Sequence, residues 1–214
     1  MITVFGKEVG FPILWLLEEM GLAYCLDEGN FDPLGTREHE ADEISPSDFI
    51  AAIRDDEVEM IELVAIIEYL VARYGPTAIA PTPNHTSFPA YKQFLQLGHT
   101  GLAAPIYFLL FLQRHGHDLS LNSAMPSEAA RILESRRGYV NRKLAESTYI
   151  AGDTFTAADI SVTYALLLAQ RANLVTLGEN EKRYVMRTTV RNAYGKAAKA
   201  CNMSSQGMAY MILA

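Results

Sequence analysis

The sequence predicts an α+β protein in which a small mixed-sheet module precedes a wholly helical one. β-rich and helical runs alternate over residues 2–74. Residues 76–88 carry three prolines and little periodicity, the signature of a connection. Beyond them every periodic segment is helical.

Residues 2–6 (ITVFG) are a short β-rich run, and FPILWLLEEMG behind them is a helix closed by Gly21. Ala23 to Glu28 supplies a second strand, and residues 29–48, rich in Gly, Asp, Pro and Glu, a loop with at most a short helix. FIAAIR, a turn at Asp55-Asp56 and VEMIE form a hairpin. An amphipathic helix from Val64 to Tyr74 follows and stops at Gly75-Pro76. Its start has no Ser, Thr, Asp or Asn cap; Ile61, Glu62 and Leu63 stand there instead. The order β-α-β, long connection, β-β-α is that of a thioredoxin-like module. The expected division is 1–76 for this module, 77–88 for the linker and 89–214 for the helical half.

In that half, Pro89 to His115 reads as one long helix kinked at Pro105, and Ser127 to Glu146 as a second. Thr156 and Asp159 have capping-box spacing, with Phe155 and Ile160 at the two positions of a hydrophobic staple. The helix they open, Ala157 to Ala172, is apolar nearly all round and belongs at the centre of its half. Two amphipathic segments, near 180–190 and 193–200, precede an apolar tail, GMAYMILA.

With 214 residues, 50% of them hydrophobic, the chain can bury a large core. A net charge of −7 and the lack of a basic run argue against a nucleic-acid partner. The N-terminus lacks a signal-peptide pattern, and the longest apolar stretch, Gly101 to Leu112, is too short to span a bilayer. The expectation is a cytoplasmic protein with no membrane partner, in which Cys25 and Cys201 are ordinary thiols. His115, His117 and Asp118 have the spacing of a ligand pair but no further ligands nearby, so a solvated loop and no metal are expected.

ELVAIIEYLVARYG (62–75), ILWLLEEMGLAY (13–24) and YIAGDTFTAADI (149–160) together resemble the cytosolic glutathione transferases of bacterial type. The likeness covers nearly the whole chain. It implies a thioredoxin-like N-terminal domain, an all-α C-terminal domain and a dimer. It also implies that the uncapped helix start is the place where family members hold the γ-glutamyl carboxylate of glutathione, through backbone N–H groups and a Ser. The preceding acid, Glu62 here, meets the ligand's amino group in such proteins.

The chain departs from the family pattern at four places in that site. Leu63 replaces the Ser, and it cannot donate to a carboxylate. Ala51 stands where the family has a cis proline after Ile50; a non-prolyl cis bond costs about 2.5–4 kcal/mol against about 0.5–1 for a prolyl one. Asp48-Phe49 replaces Gly-Lys, which turns the local charge against a tripeptide that carries two carboxylates. The stretch from Phe5 to Pro12, Gly10 included, offers no Ser, Thr, Cys or Tyr to activate a thiol; Lys7 reads as an exposed turn residue. Gly10, Ile50, Ala51, Glu62 and Leu63 are thus expected to be vestigial glutathione-site positions, and no catalytic residue is assigned.

Phe5, His99 and Tyr107 are the candidates for a hydrophobic-ligand pocket, the latter two sharing one helix at i, i+8. The resulting expectation is a non-catalytic binding protein or the inactive subunit of a heterodimer, with no certain cofactor. Its alternative is an active transferase that takes glutathione at a non-standard site and conjugates or cleaves small hydrophobic ethers or halides. The subunit partner is a second copy or another chain of the same fold.

Overall fold

The computed structural model describes residues 1–6, 9–27, 51–114 and 124–202. The expectations for Lys7, the 29–48 loop, Asp48, Phe49, Ile50, His115, His117, Asp118 and the apolar tail lie outside these residues. The chain separates into two compact units. Among the described residues, one comprises Met1–Thr77 together with residues 191–202, and the other spans Ala78–Val190.

The first unit holds a four-stranded sheet of order β2-β1-β3-β4, built from β1 (Ile2–Phe5), β2 (Tyr24–Asp27), β3 (Ala52–Asp55) and β4 (Val58–Ile61). β1 runs parallel to β2 and antiparallel to β3, and β3 and β4 form the expected hairpin. Val4 lies opposite Ile53 in this register, and with Ile2 they form a fully buried stripe, as side-chain alternation requires.

α1 (Phe11–Met20) buries every side chain from Phe11 to Leu17, and Gly21 ends it in the left-handed conformation at φ 68°. α2 (Leu63–Tyr74) buries Leu63, Ile66, Ile67 and Leu70, a one-sided helical spacing. Beneath its last turn, Asp55 is buried and its carboxylate accepts from the hydroxyls of Tyr69 at 2.9 Å and Tyr74 at 2.6 Å. That bond, and then desolvation, push the Tyr74 phenol up to about 12.

A helix at the other end of the described chain, Asn192–Ala200, packs with α1 inside this unit. Tyr194 meets Trp15 and Phe11 edge-on at 4.8 and 5.3 Å between centroids. Arg191 grips Glu19 with two hydrogen bonds of 2.6 and 2.7 Å, and the Trp15 indole donates to the same carboxylate at 3.0 Å. The sequence reading grouped this helix with residues 89–214 on continuity of pattern alone. Continuity along a chain does not choose a packing partner.

In the second unit, α3 (Phe88–Gln96) passes through a π-helical segment, Leu97–Ala103, into α4 (Ala104–Arg114). The irregularity expected at Pro105 therefore lies upstream of it. Proline removes the N–H that an α-helical register would use. Just before it, Ala104 donates to the carbonyl of His99, five residues back. The widened turn carries Gly98, where a Cβ would collide with Oγ of Ser161 and stand 2.7 Å from that residue's carbonyl carbon. Ser161 in turn donates to the Leu95 carbonyl at 3.0 Å. Glycine is what allows the two helices to approach so closely.

By length and composition the run Phe88–Gln113 is sufficient to cross a membrane, whereas the sequence reading counted only residues 101–112. The helix upstream adds Leu95, Leu97 and Gly98 to the apolar run. Here 39% of its most apolar window is buried in the fold, with α5 and α6 as its packing partners.

α5 (Ala124–Glu146) starts before Ser127, because Pro126 is tolerated in a first turn. α6 (Ala157–Arg171) is the buried centre. Its entry is held by Asp159, whose carboxylate accepts from the N–H groups of Ile150 and Thr156, both at 2.8 Å, and from Tyr184 at 2.9 Å. α7 (Glu179–Thr189) contributes Tyr184 and also Glu181. Glu181 forms a buried two-point pair with Arg137 of α5, at 2.7 and 3.1 Å. The last helix, α8, is Asn192–Ala200.

Candidate functional site

The strand register assembles one end of the sheet. Ala52, the first residue of β3, pairs with Phe5 at the end of β1 and with Ile61 at the end of β4. Phe5, Ala51, Glu62 and Leu63 therefore meet at one edge of the first unit. Gly10 joins them through the turn that leaves β1, begun by Gly6 at φ +78°.

Gly10 caps α1 with its backbone alone. Its carbonyl accepts from the N–H groups of Ile13 and Leu14 at 2.9 and 3.0 Å. Its φ of −79° and ψ of −12° suit any residue, so conformation does not demand glycine. Space does. A Cβ at Gly10 would overlap the Gly6 carbonyl oxygen, with Cγ1 of Val4 at 2.9 Å and the Phe5 carbonyl oxygen at 3.1 Å. Pro12 brings no N–H, and those of Ile13 and Leu14 are already used.

At the start of α2 the situation is reversed. Glu62 sits at φ 75° and ψ 109°, a conformation that side-chain-bearing residues adopt at a cost of about 1–3 kcal/mol. Its carbonyl takes the first helical bond, from Ile66 at 2.9 Å. The N–H groups of Leu63, Val64 and Ala65 consequently have no acceptor within the helix. Leu63 and Ala51 are buried, 3% and 4% exposed, and Glu62 is exposed. The leucine side chain is committed to packing. No side-chain cap stands at this helix start.

The chain is similar to Glutathione S-transferase 3 of Schizosaccharomyces pombe (strain 972 / ATCC 24843), 26% identical over 179 residues that make up 74% of this chain and 69% of that protein. The chain resembles the glutathione transferases over most of its length. Solved structures share its fold. A glutathione S-transferase from Actinobacillus pleuropneumoniae superposes with a TM-score of 0.72 at 22% identity, covering 94% of this chain and 93% of the other. The glutathione transferase URE2P6 from Phanerochaete chrysosporium, solved in complex with oxidized glutathione, gives 0.74 at 19%, covering 95% and 97%. No family model matches the chain.

Within this glutathione transferase fold, the other two pocket candidates belong to the second unit. His99 is half-buried on the π-helical segment. Tyr107, on α4, places its hydroxyl 3.1 Å from that of Tyr164 on α6. Tyr164 was not among the sequence candidates. No local spacing signals a contact between residues 57 apart in the chain. Sequence reasoning likewise noted that Phe5 to Pro12 holds no Ser, Thr, Cys or Tyr, but not the crowding at Gly10, which depends on the path of the backbone around Gly6. Among the described residues no group of three or more His, Cys, Asp or Glu side chains is placed to hold a metal ion.

Proposed function

We propose that this protein is a glutathione-transferase-fold binding protein whose glutathione site is degenerate, or the inactive subunit of a heterodimer whose partner has the same fold. Gly10 carries the reading. In this fold the thiol-activating side chain comes from the end of β1 or the start of α1. At Gly10 no side chain fits, and the neighbouring backbone donors are spent or missing. A thiol held there keeps a pKa near the ordinary value of about 8.5 and is mostly protonated at neutral pH. Leu63 and Ala51 remove, in addition, a carboxylate donor and the residue best suited to a cis bond. The expected ligand is a small hydrophobic molecule, the compartment is the cytoplasm, and the assembly is a homodimer or heterodimer.

One observation favours a second reading, an active transferase with glutathione as co-substrate. Glu62 keeps a strained backbone ahead of three N–H groups that have no acceptor within the helix, and strain of this kind tends to persist where it is used. An assay with glutathione and an electrophilic aryl halide separates the two. Turnover indistinguishable from the spontaneous reaction supports the binding-protein reading, and enzyme-dependent thioether formation establishes the second. Purification from the native host reports on the heterodimer: a stoichiometric partner supports it, and a homodimer alone removes it.

A further inference from the structure

We draw no further inference here: the strongest candidate, the open cavity of about 360 Å³ lined by Glu18 and Glu19 of α1 and by Arg191, Asn192, Ala193 and Lys196 at the start of α8, carries nothing, because its carboxylates are already matched by Arg191 and Lys196 in its own wall and what remains is an uncapped helix start with no second observation pointing to a ligand.

Discussion

Under the proposed reading, replacing Gly10 with serine restores a hydroxyl to the stretch between β1 and α1, and it tests whether space bars a side chain there. The new Cβ meets the Gly6 carbonyl oxygen inside van der Waals contact, and Val4 Cγ1 at 2.9 Å. The first obstacle is backbone and the second is a β-branched core residue with 0% exposure, so neither can swing aside as a flexible side chain would. Overpacking of this kind costs about 1–3 kcal/mol. For a chain of this size each kcal/mol lowers the midpoint by about 2–4 °C, so thermal unfolding followed by circular dichroism should show a drop on the order of 2–12 °C. No thioether formation should appear, because relief of the clash displaces the residue that was meant to act. A Gly10→Ser variant that melts with the parent and conjugates glutathione would refute the steric argument.

Gly195→Ala makes the opposite case: nothing lies within 4 Å of a Cβ there. Placed inside α8, the substitution should raise stability by up to about 1 kcal/mol, read as a higher denaturation midpoint. Arg137→Met leaves the buried Glu181 carboxylate without its cation and should cost about 3–5 kcal/mol in urea unfolding; Arg137→Met with Glu181→Leu should recover much of it. Burial raises the Asp159 carboxyl from 3.8 to about 6 against the pull of its four hydrogen bonds. Its folded value thus exceeds its unfolded one, so the folded state holds the proton more tightly. That contribution is fully present below pH 3.8 and is lost as pH rises through 6, about 3 kcal/mol in all at about 1.4 per unit. Asp159→Asn should lower stability at every pH by loss of the cap and remove this component, which the difference between wild-type and variant unfolding curves from pH 4 to 7 would show.

The fold was legible because its signals are local. Gly21 closing α1, the hairpin turn (at Asp56-Glu57, one residue beyond the expected Asp55-Asp56), the one-sided spacing of Ile66, Ile67 and Leu70, and Asp159 three residues after Thr156 each act within a few positions of the chain. What escaped is set by distance or by exact backbone path. The close approach of the π-helical segment to α6 rests on Gly98 fitting against Ser161, a partner 63 positions away that no periodicity reveals. The Arg137–Glu181 pair bridges 44 residues, and α8 chose α1 through Arg191, Trp15 and Tyr194. The site divides the same way. Leu63 and Ala51 are visible as letters, but the strain at Glu62 and the exclusion of any side chain at Gly10 emerge only with coordinates.

Titration of the purified protein with glutathione in a calorimeter tests the central claim most directly. If the site is degenerate as proposed, the protein should bind glutathione more weakly than about 1 mM, the affinity that corresponds to only about 4 kcal/mol. Saturable binding in the micromolar range, with one site per chain, would show that the backbone donors ahead of Val64 still serve the tripeptide.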